Sequence, residues 1–214
     1  HDRRQHGSRR VARALPGGRV DRSAVRTVRL RDPGSSPDSA ALDVAAVRRG
    51  LGVPTIFNIL GPLCNPAGAP FQVIGVGRAE HRHLLAETLA RLGTRRALIV
   101  HGEDGLDEIT LSGQTWISEV DQGVVRESAW HPRDLGLRVQ SVETLRVANP
   151  AESAAIIRHV FAGSPGPARD IVLANAAAAL WVSGKCAEPA EGVQLASQTI
   201  DSGAAARLLA RLIQ

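Results

Sequence analysis

A strand, a helix and a second strand follow one another in the middle of this chain, and this order limits its possible folds more than any other feature. Residues 71–76 form an apolar run that is typical of a buried strand, and residues 96–100 form another. Between them, residues 80–92 carry leucines on one helical face and end at Gly93, a common helix stop. Because the links are short, the pattern predicts a βαβ unit with two parallel strands.

The rest of the chain from residue 41 onward predicts a mixed α/β domain. We expect a hairpin from residues 114–120 and 123–127 around Asp121-Gln122-Gly123, and a short helix at residues 42–51. A mixed, largely parallel sheet flanked by helices is the fold class that this pattern favours for residues 41–214. Helices able to cover both faces of that sheet are expected in the tail, at residues 151–162, 168–183, 189–202 and 204–212.

The net charge of +5 over 214 residues is concentrated at the start of the chain. Residues 1–40 contain ten arginines and four aspartates, a net charge of +6, which leaves −1 for the remainder. This segment is poor in bulky apolar residues and has no aromatic side chain that could stack on bases. We therefore predict a basic, poorly patterned arm that is disordered or non-native, and we do not expect nucleic-acid binding.

Membrane insertion and disulfide bonding are not expected. The sequence has no apolar run approaching the ~18 residues of a membrane span and no visible signal peptide, so a cytoplasmic location is the default expectation. Cys64 and Cys186 have no zinc-binding spacing, and we expect two reduced thiols.

An acidic loop, residues 101–108, follows the apolar run at 96–100 directly. It contains four carboxylates and two glycines. A buried strand that ends in such a loop delivers acids to the carboxyl edge of a sheet, where open α/β sheets bind ligands. The adjacent Asp107 and Glu108 suit a hard cation such as Mg²⁺, whose ligands are carboxylates, water and substrate phosphates. The loop therefore indicates a phosphorylated substrate as readily as a metal.

A second motif lies at residues 55–66, where Pro62 and Pro66 bracket three residues and fix the backbone into a rigid turn. Gly61 allows a ligand or another chain to approach the backbone closely. Taken alone, this motif favours a structural turn over a binding turn.

Together the two motifs resemble the anthranilate phosphoribosyltransferase family. The resemblance rests on residues 48–66 and 95–109 and continues through residues 169–180, 191–192 and 200–203, so it covers the chain from about residue 41. It implies transfer of a phosphoribosyl group from 5-phosphoribosyl diphosphate to anthranilate in tryptophan biosynthesis. It also implies Mg²⁺ on the diphosphate, a homodimer and the phosphoribosyltransferase or nucleoside phosphorylase type of fold.

The resemblance also implies roles for single residues. Asp107 and Glu108 match the family's metal-binding acids, and they would hold Mg²⁺ against the diphosphate as charge develops on it. Arg48 matches the anthranilate-contacting arginine, although alone it would be interpreted as a surface helix residue, and Gly61 and Pro62 match the turn that lines the anthranilate pocket. His101 is expected to be structural, because anthranilate's amine needs little activation.

Several family features are missing from this sequence. The glycine-rich Gly-Thr-Gly-Gly-Asp loop and the Asn-x-Ser-Thr segment are absent, the usual amino-terminal helical domain is not expected, and Cys64 stands where the family usually has threonine. We therefore expect weak diphosphate binding. The alternatives are a nucleoside phosphorylase of the same fold, a non-catalytic relative that binds nucleic acid through residues 1–40, and a non-functional remnant.

Overall fold

The structure, a computed structural model, describes residues 62–63 and 68–213. The basic arm, the helix expected at residues 42–51, and the candidate residues Arg48 and Gly61 lie outside the described residues.

The described strands form one mixed sheet in the order β1-β2-β3-β4. β1 pairs in parallel with β2, with Phe71 opposite Arg96 and Gly75 opposite Val100, which confirms the βαβ unit. The other two pairings are antiparallel, so the described part of the sheet has a smaller parallel share than expected. The reason is that, within the described residues, no crossover helix joins β2 to β3 or β3 to β4, so the chain returns alongside the strand it has just left. The strands are β1 (Phe71–Gly75), β2 (Arg96–Gly102), β3 (Thr115–Asp121) and β4 (Val124–Trp130).

The hairpin between β3 and β4 forms where the sequence predicts it. Asp121 pairs with Val124, and the two residues between them, Gln122 and Gly123, have φ values of +49° and +83°. Positive φ at both central residues gives a type I′ turn, whose twist matches that of the flanking strands.

One helix covers the first face of the sheet. Helix α1 (Glu80–Arg91) packs Leu85, Ala86 and Leu89 against the side of β2 that presents Ala97 and Ile99. It ends before Gly93, whose φ of +78° stops the helix as expected.

The terminal helices pack against the opposite face. Leu98 and Val100 of β2 share a buried cluster with Leu173 and Ala177 of the third helix, α3. The tail was expected to cover both faces, but it lies on one because α1 already occupies the other. The tail helices are α2 (Pro150–Phe161), α3 (Pro167–Val182), α4 (Pro189–Asp201) and α5 (Ala204–Leu212), preceded by short 3-10 helices at Pro132–Leu135 and Val142–Leu145.

No helix among the described residues is long and apolar enough to cross a membrane.

Candidate functional site

The acidic loop begins within the last residues of β2. This buried strand lies between β1, to which it is parallel, and β3. Leu98 and Ile99 are fully buried, so the strand is held from both faces before the chain leaves the sheet. Since Gly75 at the end of β1 lies opposite Val100, both strands end at the same edge. The acids therefore emerge at the carboxyl edge of the parallel strands, where α/β sheets bind ligands.

The first two carboxylates of the loop, Glu103 and Asp104, hold the loop together, and we call them the bonded pair. Glu103 accepts a hydrogen bond from the Gln114 backbone N–H at 2.8 Å. Asp104 accepts one from the Leu106 N–H at 3.1 Å and one from the Thr110 hydroxyl at 2.6 Å. These carboxylates serve the folding of the loop.

The pKa of Asp104 shows how strongly these donors act. Partial burial by itself would raise the pKa of this carboxyl, because a charged group loses hydration there. Hydrogen bonds from the Thr110 hydroxyl, the Leu106 N–H and the Ser112 side chain outweigh that effect, so its pKa lies below the ordinary value. The folded loop therefore favours the ionised form of Asp104.

The last two carboxylates of the loop, Asp107 and Glu108, have a different environment, and we call them the open pair. Both residues are exposed, and within the part of the chain that the structure describes their side chains have no hydrogen-bond or salt-bridge partner. Although Glu108 is exposed as a residue, its carboxyl loses part of its hydration. This desolvation, and then repulsion from Asp107, raises the pKa of Glu108. Two adjacent uncompensated acids favour an incoming cation.

The donor set fits a magnesium ion that is shared with a substrate. Among the described residues, no group of three or more His, Cys, Asp or Glu side chains is arranged to enclose a metal. Mg²⁺ commonly takes one or two protein carboxylates and completes its shell with water and substrate phosphates. Asp107 and Glu108 supply that number of carboxylates and leave the remaining positions to a phosphorylated ligand.

His101 has a structural contact. Its Nδ1 lies 2.7 Å from the backbone carbonyl oxygen of Val76, and a ring nitrogen facing a carbonyl must carry the proton and donate. The imidazole thus links the end of β2 to the chain just after β1. This contact gives His101 a structural role at the end of β2.

The structure does not bring Pro62 to the open pair. Pro62 is half-buried and lines a cavity of about 330 Å³ with Leu63, Pro70 and Thr94, among others. Residues 70 and 94 precede β1 and β2, whereas the acidic loop follows the far end of β2. The roles of Pro62, Arg48 and Gly61 in anthranilate binding stay predictions.

Gly75 and Asn175, which were not predicted as site residues, contact the backbone of Asp107 and of Ile109. Gly75 lies against the backbone of Asp107, and the Asn175 side chain is bonded to Ile109. Asn175 is a polar residue within the apolar, alanine-rich stretch 171–182 of α3, and this was the available sequence signal. Gly75 ends a strand, and a glycine at the end of a strand is too common to mark a site.

Comparison with known proteins gives a consistent result. A family model described as "Glycosyl transferase family, a/b domain" matches residues 35–206. The anthranilate phosphoribosyltransferase of Nitrosomonas europaea is 51% identical over 170 residues, which cover 79% of this chain and 50% of the relative. The crystal structure of anthranilate phosphoribosyltransferase from Thermus thermophilus superposes with a TM-score of 0.74 at 43% identity, covering 81% of this chain and 51% of that chain.

A more distant enzyme has been solved with ligands. Anthranilate phosphoribosyltransferase from Saccharomyces cerevisiae in complex with PRPP and Mg is 29% identical, with a TM-score of 0.71 over 79% of this chain and 49% of that chain. The same enzyme has been solved in complex with 4-fluoroanthranilate. The chain spans about half the length of the curated relatives it matches. These matches confirm the resemblance inferred from the two sequence motifs, and the chain belongs to the glycosyl transferase family through its α/β domain.

Proposed function

We propose that this chain is the carboxyl-terminal α/β portion of an anthranilate phosphoribosyltransferase and contributes the cation-binding side of its active site. The observation that carries the proposal is the open pair, two exposed acids at the carboxyl edge of the parallel strands that have no side-chain partner among the described residues. The relatives named above support anthranilate as the acceptor over the nucleoside alternative. The yeast complex with PRPP and Mg supports the diphosphate donor.

The reaction moves a phosphoribosyl group from 5-phosphoribosyl diphosphate to the amine of anthranilate and releases diphosphate. Mg²⁺, when bound, neutralises the negative charge that develops on this leaving group. Asp107 and Glu108 hold the cation beside the diphosphate and do not themselves exchange protons with the substrate. In the same proposal Arg48 receives the anthranilate carboxylate with its guanidinium fork, and Gly61 and Pro62 keep the pocket-lining role that the family resemblance implies, although the described position of Pro62 is at the other end of β2 from the open pair.

A homodimer belongs to the same proposal because the family resemblance implies it, and the cytoplasmic location that was the default expectation from the sequence stays part of it. Size-exclusion chromatography with light scattering measures the mass in solution. A mass of twice 22.6 kDa supports the dimer, and a monomer at micromolar concentration contradicts it.

The experiment that tests the proposed function is an NMR titration with Mg²⁺ and 5-phosphoribosyl diphosphate, which detects weak binding. In the unaltered chain, the amides of residues 103–110 should shift only when both ligands are present. The variant Asp107→Asn/Glu108→Gln removes two negative charges, keeps the side-chain shapes, and should abolish the shifts because the cation loses both protein ligands.

The matched control is Glu80→Gln/Glu188→Gln, which removes the same charge from two exposed glutamates without side-chain partners in the described structure. This control should bind as the unaltered chain does. Equal binding by the Asp107/Glu108 variant, or no response of residues 103–110 in the unaltered chain, would reject the proposed site.

A further inference from the structure

Both backbone groups of Ile109, the residue directly after the open pair, are bonded to one side chain from the tail. The Ile109 N–H donates to Asn175 Oδ1 at 2.9 Å, and Asn175 Nδ2 donates back to the Ile109 carbonyl at 3.2 Å. The same Nδ2 also donates to Ile171 one helical turn earlier, at 3.0 Å. The amide of Asn175 therefore gives Ile109 the two hydrogen bonds that a neighbouring strand would give.

The two hydrogen bonds between Asn175 and Ile109, which we call the clamp, hold the chain directly after the open pair against the core. The Ile109 side chain is 1% exposed and belongs to the same buried cluster as Leu173 and Ala177 of α3. Asn175 lies on that helix between them in sequence, so packing and hydrogen bonding fix Ile109 together. Glu108 is attached directly to a fixed residue.

Gly75 lies against the backbone of Asp107, the first residue of the open pair. A Cβ atom on Gly75 would overlap the Asp107 carbonyl oxygen and lie 2.5 Å from the Asp107 carbonyl carbon. The φ of Gly75 is not among the positive values, so glycine is needed here for space and not for backbone freedom. The end of β1 thus lies directly against the peptide that carries Asp107.

The backbone must therefore set the geometry of the two acids. Because Asp107 and Glu108 have no side-chain partner in the described structure, no other described side chain orients their carboxylates before a cation arrives. A binding constellation works only when neighbouring groups hold it close to the productive geometry. Gly75 contacts the peptide of Asp107, and Asn175 contacts Ile109, the residue after Glu108.

We propose that Asn175 and Gly75 are positioning residues for the cation site of Asp107 and Glu108. Asn175 fixes the backbone after Glu108 from α3, and Gly75 provides the space in which the Asp107 peptide lies against β1. This inference rests on the proposed function, because it assumes that the open pair binds the cation.

The first test removes the clamp and measures metal affinity. Mn²⁺ in the presence of 5-phosphoribosyl diphosphate is the probe, and electron paramagnetic resonance counts the free ion. Asn175→Leu should weaken Mn²⁺ binding by about tenfold or more, as loss of the groups that orient metal ligands commonly does. A readout without metal accompanies it, since hydrogen exchange of the Ile109 amide should accelerate when its acceptor is removed.

The matched control for Asn175→Leu is Gln140→Leu. Gln140 donates to Asp170 at 2.6 Å, so this change also removes an amide and a hydrogen bond to α3, without touching Ile109. Gln140→Leu should leave both Mn²⁺ affinity and Ile109 exchange unchanged. Measurements are made below the unfolding transition of each variant, so that reduced stability alone does not mimic the effect.

A second pair of variants tests the opposite side and remains informative if Asn175→Leu fails to fold. Gly75→Ala forces the Asp107 peptide to move and should weaken Mn²⁺ binding by about tenfold. Gly77→Ala is the control, because a Cβ at Gly77 has no atom of the described residues within 4 Å and its φ is not positive. It should bind Mn²⁺ as the unaltered chain does.

The outcomes separate this inference from the proposed function. If the unaltered chain fails to bind Mn²⁺, or if Asp107→Asn/Glu108→Gln binds it equally well, the metal assignment fails and the inference fails with it. If binding depends on the two acids but Asn175→Leu and Gly75→Ala match their controls, the positioning roles alone are rejected. Weaker binding in both variants, with faster Ile109 exchange in Asn175→Leu, establishes them.

Discussion

The bonded pair and the open pair are two pairs of acids in one loop, separated by only two residues, and they differ in what holds them. Glu103 and Asp104 accept hydrogen bonds from Gln114, Leu106 and Thr110. Asp107 and Glu108 have none of these and repel each other. Identical chemical groups therefore divide into one pair that stabilises the loop and one pair that the loop presents.

The difference shows how a loop can expose two acids to a cation and still remain folded. The hydrogen bonds that Glu103 and Asp104 accept tie their carboxylates to the folded loop, whereas a carboxylate without a described partner can turn toward a cation. The hydrogen bonds to the bonded pair stabilise the loop. The stabilised loop in turn holds the open pair at the surface. Stability and ligand binding should consequently respond to different halves of the loop.

The largest expected effect on stability comes from removing the bonded pair. Glu103→Ala/Asp104→Ala leaves two N–H groups and the buried Thr110 hydroxyl without their acceptors, and should lower the free energy of unfolding by about 2–3 kcal/mol. Urea denaturation followed by tryptophan fluorescence measures this, since the chain has three tryptophans.

The corresponding control is Asp107→Ala/Glu108→Ala, which removes the same number of charges from the open pair. Because these side chains have no partner among the described residues, the free energy of unfolding should change by less than about 0.5 kcal/mol. Equal destabilisation by the two double variants would show that the division between the pairs is wrong.

Much of the scaffold under this loop could be predicted from local patterns. The apolar run of β2, the amphipathic face of α1 and the stop at Gly93 are local signals, and the βαβ unit and the hairpin form where they predict. The side of the sheet covered by the tail could not be predicted, because amphipathicity identifies a buried helix face without identifying its partner. The adjacency of Asp107 and Glu108 was sufficient to select the candidate metal ligands.

The division of the four carboxylates could not be predicted from their positions. Asp104 is bonded by Thr110, which reaches it only because the chain after the loop folds back. Asn175 meets Ile109 across a sequence separation of 66 residues, and no local pattern carries that information. Contacts of this kind depend on how α3 packs on the sheet, so they emerge only with the tertiary structure.

A smaller effect on the free energy of unfolding is expected for the single hydrogen bond from Thr110 to Asp104. A double-mutant cycle of Asp104→Ala and Thr110→Val should give a coupling energy of about 1–2 kcal/mol, because the 2.6 Å bond joins a hydroxyl to an ionised acceptor. The cycle cancels the cost of the hydrogen bond that Thr110 accepts from Ser112.

A cycle of Asp104→Ala with Thr199→Val serves as the reference. Thr199 donates to Leu195 within α4, so its loss costs a similar hydroxyl contact without involving the loop. The reference coupling energy should be near zero. A comparable value for the two cycles would mean that Thr110 does not support Asp104.

The smallest expected effect is a difference in pH dependence between Asp104 of the bonded pair and Glu108 of the open pair. The lowered pKa of Asp104 means that the folded chain binds its proton less readily than the unfolded chain, so its contribution to stability is present above the ordinary aspartate pKa. That contribution is lost as the pH falls through the pKa of the folded state. The raised pKa of Glu108 acts in the opposite sense, since its contribution is present below the ordinary glutamate pKa and is lost as the pH rises through the folded value.

Single neutral variants separate these opposing contributions. In metal-free buffer from about pH 3 to pH 7, a range that spans ordinary carboxyl titration, denaturation of Asp104→Asn should show a smaller loss of stability on acidification than the unaltered chain. Glu108→Gln should instead show a smaller loss as the pH rises. NMR titration of the two carboxyl groups gives their pKa values directly. Shifts in the same direction would contradict the separate roles of the two pairs, because a carboxylate that accepts strong hydrogen bonds and one that faces a like charge must respond to protonation in opposite ways.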